Sequence, residues 1–200
     1  LLDGINSIID TCTFSYTRQI EMKGLGHAIL TRETLIGNEA FAVVLADDFC
    51  ANGGDGVLKQ MVDLYEEYNC SIVAIEEVPH DQTQNYGVID GVEIQEGLYK
   101  VSEMVEKPAP EDAPTNLAII GRYILTPDIF RILEGVAPGS GGEIQITDAI
   151  EQQAKKKMVL AYKFKGKRFD CGTIGGFVSA TNFVYSSLYT EGENYPRKPS

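Results

Sequence analysis

Two aspartates, Asp47 and Asp48, directly follow the apolar run Phe41-Ala42-Val43-Val44-Leu45-Ala46. A continuous run of that kind reads as a strand buried on both faces. In open α/β sheets, ligands bind beyond the carboxyl ends of the strands. A carboxylate there is placed to hold Mg²⁺, which takes one or two carboxylates and completes its shell with substrate phosphates. The plainer alternative is an acidic strand end facing a turn. Asp170, in Asp170-Cys171-Gly172, either joins the same ion or caps the helix that follows. Glu106-Lys107-Pro108 sets opposite charges side by side where a proline stops a strand. Neighbours on a strand face opposite sides, so these two are not expected to form one tidy ion pair. Lys107 is suited to a phosphate and Glu106 to sugar hydroxyls, and a solvated strand edge explains them equally well.

Lys23-Gly24-Leu25-Gly26-His27 places two glycines at a helix start, where a flat base or a phosphate could approach the backbone. It is neither a Walker A loop nor the three-glycine dinucleotide fingerprint, and a tight turn is the commoner explanation. Gln19, just upstream, is in reach of the same mouth. His27 has no serine or cysteine motif around it and reads as structural. No G-x-S-x-G elbow occurs, which leaves hydrolase chemistry unsupported.

The elements that must carry these groups alternate. Apolar positions at helical spacing predict a helix over 1–10, and alternation predicts a strand over 13–19. A helix is expected over 25–36, a strand over 41–46, an amphipathic helix over 56–68 with Val57, Met61, Leu64 and Tyr65 on one side, and a strand over 71–78. That order argues for an α/β fold with a largely parallel sheet. The middle reads differently: strands over 86–90, 98–106 and 116–125, with Gly91 and Gly97 as hairpin corners, imply an antiparallel or mixed part. Thr126-Pro127-Asp128 predicts a helix with Thr126 as N-cap and Pro127 at its first position, ending near Leu133. A loop over 134–142, a helix over 143–157, a strand over 159–166 and a last helix from Thr173 follow.

The net charge of −12 is wrong for nucleic acid, so phosphates must be met by a few placed cations or a metal. Lys155-Lys156-Lys157, the densest basic run, complements a helix C-terminus. No apolar run is long enough to cross a bilayer, and no basic segment leads into a signal-like stretch, so a cytoplasmic protein with no membrane partner is expected. Cys12, Cys50, Cys70 and Cys171 are too scattered for structural zinc and are expected to be reduced and mostly buried.

The order of these signals resembles one family. The strings KGLGHA (23–28), LADD (45–48), YGV (86–88), VEKP (105–108), NLAIIGRY (116–123), GGEIQITDAI (141–150) and GKRFDCG (166–172) are similar to those of bacterial UTP–glucose-1-phosphate uridylyltransferases, and they span nearly the whole chain. The resemblance implies a Rossmann-like nucleotidyltransferase α/β/α sandwich with a mixed sheet, and Mg²⁺-assisted joining of UTP and glucose 1-phosphate into UDP-glucose and pyrophosphate. It implies roles as well. Gln19 and Gly24 match the uracil-side contacts. Asp47 and Asp170 match the Mg²⁺ ligands. Asp48, Gly87 and Glu106 match contacts to the glucose hydroxyls, and Lys107 the lysine that holds the sugar phosphate.

The sequence departs from the family's pattern in one respect. A strand, a loop with G-x-G-T-R and a Lys-Glu pair open the family's chains, and none occurs in these 200 residues. The expectation is therefore one N-terminally truncated domain over 1–190 with a polar tail over 191–200. Such a piece is expected to be inactive alone and oligomeric when complete. A non-catalytic UDP-sugar-binding fragment and a transferase for another sugar 1-phosphate are the alternatives.

Overall fold

The computed structural model describes residues 2–52 and 54–188, so the polar stretch 191–200 lies outside the described residues. The centre of the molecule is a strand that the sequence makes apolar on both sides. Ser71–Glu77 (β3) keeps Ile72, Val73, Ala74 and Ile75 out of water. Alternation sends Val73 and Ile75 to one face and Ile72 and Ala74 to the other, into two separate apolar clusters. The first cluster contains Ile129, Phe130 and Leu133 of a helix over Asp128–Leu133 and Ile146, Ala149 and Ile150 of a helix over Ile146–Ala154. The second contains Val57 and Met61 of a helix over Val57–Tyr68, with Leu64 and Tyr65 of the same helix packed against it. Helices on both faces of one sheet make the expected α/β/α sandwich.

In chain order the helices are Leu2–Thr11 (α1), Gly24–Leu30 (α2), Glu33–Ile36 (α3), Val57–Tyr68 (α4), Asp128–Leu133 (α5), Ile146–Ala154 (α6) and Ile174–Leu188 (α7). The strands are Phe41–Val44 (β1), Asp48–Ala51 (β2), β3, Gly87–Gln95 (β4), Leu98–Glu106 (β5), Leu117–Leu125 (β6), Val159–Lys163 (β7) and Lys167–Asp170 (β8). Six strands form one sheet in the order β1-β6-β3-β7-β5-β4, and β2 and β8 form a separate antiparallel ribbon.

Several expectations are corrected. The sheet is mixed, but it is not largely parallel: β3–β7 is the parallel pairing and the remaining ladders are antiparallel. The run 41–46 is not a strand buried on both faces. β1 ends at Val44, ladders only with β6 among the described residues, and leaves Val44 half exposed. Residues 13–19 form no strand, because their alternating side chains find no ladder; Tyr16 is 91% exposed. Helix 25–36 is broken at Thr31–Arg32, and the helix expected over 143–157 is confined to α6. Gly91 is not a hairpin corner. It lies inside β4 at a register shift, where an added Cβ would collide with the Lys100 carbonyl, while Gly97 does make the turn, at φ +73°. Thr126 gives no side-chain cap; its hydroxyl donates to Asp128 instead, at 2.7 Å. Of the four cysteines, all free, only Cys70 is buried, and burial pushes its thiol up to about 11.

Candidate active site

Asp47 and Asp170 are brought together by the β2–β8 ribbon. Asp48 stands opposite Asp170 in its register, and the Cys171 N–H donates to the Asp47 carbonyl at 2.7 Å. Both carboxylates therefore converge on Gly172: a Cβ there would lie 3.0 Å from Asp170 Oδ1 and 3.3 Å from Asp47 Oδ2. Gly172 N–H donates to Asp170 Oδ1 at 3.0 Å, so Asp170 ties off its own turn and does not cap α7. The Asp47 carboxylate has no hydrogen-bond or ion-pair partner among the described residues.

These two aspartates line a cavity of about 340 Å³, a volume suited to a small polar ligand. Asp48, Gly87, Glu106 and Lys107 line the same cavity, so six of the eight residues singled out in the sequence share one space. Five carboxylates (Asp47, Asp48, Glu106, Glu143 and Asp170) face it against two cations, Lys107 and Arg168. Asp48 is 6% exposed and already engaged, taking the Nε–H of Arg168 on one oxygen and the Gly121 N–H on the other. Arg168 also donates to Glu76, and it stacks over the Tyr86 ring at 5.3 Å. Burial works against its charge, but the Tyr86 hydroxyl at 3.5 Å and then the carboxylates of Asp48 and Glu76 hold the guanidinium protonated. Tyr123 on the cavity wall is pushed up by burial and then by the charges of Glu106 and Asp48, so it remains a neutral phenol.

Glu106 and Lys107 share the cavity because the strand stops between them. Lys107 takes φ +48°, which breaks the alternation expected of strand neighbours, and its N–H donates to the Tyr86 carbonyl at 2.9 Å. Contrary to the expectation from strand alternation, the two side chains do pair, loosely, at 3.7 Å. The Thr147 hydroxyl donates to Glu106 Oε2 at 2.6 Å.

Gln19 and Gly24 stand outside the cavity walls. Gly24, at φ +85°, lets residues 143–144 dock on the start of α2, where an added Cβ would lie 2.8 Å from Glu143 Cβ. The Gly26 N–H to Ile144 carbonyl and Ile144 N–H to Lys23 carbonyl bonds close that contact. Gln19 Nε2 donates to the Gly24 carbonyl at 3.2 Å and lies 2.9 Å from His27 Nδ1. Arg168, Tyr86, Thr147 and Tyr123 were not singled out in the sequence. All four lie inside the quoted strings or beside them, and only their distant partners reveal what they do.

On an α/β/α frame, one cavity gathers two aspartates and a lysine, residue types suited to phosphate compounds. The chain belongs to the nucleotidyl transferase family, whose model matches residues 4–187. It is similar to a UTP–glucose-1-phosphate uridylyltransferase of Pseudomonas aeruginosa, 65% identical over 193 residues that cover 96% of this chain and 69% of that protein. The namesake from Staphylococcus epidermidis is 48% identical over 181 residues, covering 90% of this chain and 62% of that one. Among solved structures, a UDP-glucose pyrophosphorylase complexed with UDP-glucose superposes with a TM-score of 0.90 at 59% identity, covering 93% of this chain and 71% of the other. A UTP-bound enzyme of the same kind from Acinetobacter baumannii gives 0.78 at 29% identity, covering 94% of this chain and 67% of the other.

Proposed function

We propose that this chain belongs to an enzyme that transfers the uridylyl group of UTP to glucose 1-phosphate, releasing pyrophosphate and forming UDP-glucose. The single observation that carries the proposal is the convergence of Asp47, Asp170, Glu106 and Lys107 on one cavity in a chain 65% identical to a UTP–glucose-1-phosphate uridylyltransferase. In that reaction a phosphate oxygen of the sugar attacks the α-phosphorus of UTP, and the bond to the departing pyrophosphate breaks. No protein nucleophile is needed, and the catalytic task is to bring two anions into line and offset their charge.

The residues present fit a divalent cation. Two carboxylates flank one point, and no third histidine, cysteine or carboxylate joins them among the described residues. That is a donor set which leaves most of an octahedral shell to phosphate and water, as Mg²⁺ prefers. Asp47 and Asp170 would hold the ion, which when bound offsets phosphate charge in the transition state. The cavity's excess of carboxylates points the same way, since two phosphate compounds would otherwise enter a negative field. At an effective dielectric of 20, two unit charges 4 Å apart repel by about 4 kcal/mol.

The protein's own groups do the rest. Lys107 offers its ammonium, more than half exposed, to the sugar phosphate. Glu106 accepts hydroxyls of the sugar ring beside Gly87. Asp48 belongs to the floor of the site, since Arg168 and Gly121 occupy its oxygens. The test is direct: the intact enzyme, given UTP, glucose 1-phosphate and Mg²⁺, forms UDP-glucose and pyrophosphate. Absence of turnover with glucose 1-phosphate alongside turnover of another sugar 1-phosphate would contradict the substrate assignment.

A further inference from the structure

The hydroxyl of Thr147 is nearly inaccessible, and it donates to a carboxylate that faces the cavity. Thr147 is 5% exposed, and its Oγ1 lies 2.6 Å from Glu106 Oε2. It sits in the first turn of α6, which is pinned by Ile146, Ala149 and Ile150 in the core. Packing therefore fixes the turn of helix that carries the hydroxyl. The opposite wall is shaped to the same contact. Gly87 stands across from Glu106 in the β4–β5 register, and a Cβ there would lie 3.0 Å from Thr147 Oγ1 and 3.2 Å from Glu106 Oε2. Any side chain at Gly87 would press on this hydrogen bond.

A glutamate at a strand end has three side-chain torsions to order before it can accept a hydroxyl. With Oε2 held by Thr147, the second oxygen, Oε1, is left 3.7 Å from Lys107 Nζ, too far for a hydrogen bond and free for a ligand. We propose that Thr147 is a positioning residue that holds Glu106 in the orientation that accepts a sugar hydroxyl, and so sets how strongly the enzyme selects its sugar 1-phosphate. This rests on the proposed uridylyl transfer to a sugar 1-phosphate. Thr147 acts through Glu106 and touches no reacting atom.

The experiment compares wild type, Thr147→Val and Thr147→Ser of the intact enzyme with UTP and glucose 1-phosphate, and with the monodeoxy glucose 1-phosphates. Wild-type turnover of UTP and glucose 1-phosphate is the control for the function itself; without it, the function fails before Thr147 is tested. Given that control, Thr147→Val is expected to lose about tenfold to a hundredfold in kcat/KM for glucose 1-phosphate, mostly through KM. The KM for UTP is expected to stay within about twofold, and Thr147→Ser to recover most of the loss. The loss should vanish for the one deoxy sugar that lacks the hydroxyl taken by Glu106, and in a Glu106→Ala background, where no acceptor remains for Thr147 to position. Wild-type kinetics in Thr147→Val, or an equal loss for every deoxy sugar and for UTP, would overturn the proposal. If the valine variant does not fold, Thr147→Ala is read by the same criteria.

Discussion

At the residue scale, the site depends on a few placed charges, Asp47 and Lys107 open to solvent and Asp48 and Arg168 buried beneath them. Asp47→Ala is expected to lower the rate of pyrophosphate release by roughly 10²–10³ with the fold intact, measured by a coupled pyrophosphate assay beside a thermal melt. Lys107→Ala should act on the sugar phosphate: a charge-assisted contact contributes about 1.5–3 kcal/mol, so kcat/KM for glucose 1-phosphate falls about tenfold to a hundredfold while KM for UTP hardly moves. Arg168 works differently. Its side chain and that of Asp48 are 8% and 7% exposed, so Arg168→Met leaves a buried carboxylate without its cation. That variant should lose about 3–5 kcal/mol in urea unfolding, and Asp48→Asn added to it should restore part of the loss. The residues behind the first two predictions stand out in the sequence, in LADD and VEKP. Those behind the third do not: the partners of Arg168 are 120 and 92 positions away along the chain, a separation that no local pattern records.

At the element scale, the strands that the sequence revealed best are those buried on both faces. The run 71–75 has neighbours on either side and is apolar for that reason. The run 41–46 looks the same in sequence, yet β1 lies at an edge of the described sheet; hydropathy reports what a residue tolerates and says nothing of which neighbour arrives. Gly91 illustrates the same limit. A turn and a bulge both call for glycine, and only the nearness of the Lys100 carbonyl distinguishes them. Where α5, α6 and β3 meet, Thr126 and Gln153 both hydrogen-bond to Asp128, and Lys157 pairs with it at 2.9 Å. Burial raises the pKa of Asp128, but the bonds from Gln153, Thr126 and Lys157 outweigh it and set the group below its ordinary 3.8. A depressed folded value means that the unfolded chain binds the proton more readily, so this stability is full above 3.8 and is lost as pH falls through the folded value. Urea unfolding at pH 7 and pH 3 should show wild type losing more stability than Asp128→Asn over that interval.

At the scale of the whole molecule, the fold brings one end of the β2–β8 ribbon, the end of β5 and the first turn of α6 around a single acidic cavity. None of those three elements holds the site alone, which is why the sequence offered its residues as separate, modest signals. An α/β fold was readable from alternation, though not its mostly antiparallel pairing; the α/β/α sandwich came with the family resemblance carried by the strings. The ribbon that joins Asp47 to Asp170, pairing segments far apart in sequence, was not readable. If Asp47 and Asp170 hold a divalent cation as proposed, a chelator should abolish turnover while changing the unfolding free energy of the ligand-free protein by no more than about 1 kcal/mol, as expected for an ion that binds chiefly with its phosphate ligands.

The most direct measurement is an anomalous difference map at the manganese edge from crystals grown with UDP-glucose and Mn²⁺ in place of Mg²⁺. One peak within coordination distance of both the Asp47 and the Asp170 carboxylates, touching a phosphate oxygen, with Glu106 on the sugar ring, is the expected result. A peak bound elsewhere, or UDP-glucose seated with Asp47 and Asp170 facing no phosphate, would contradict it.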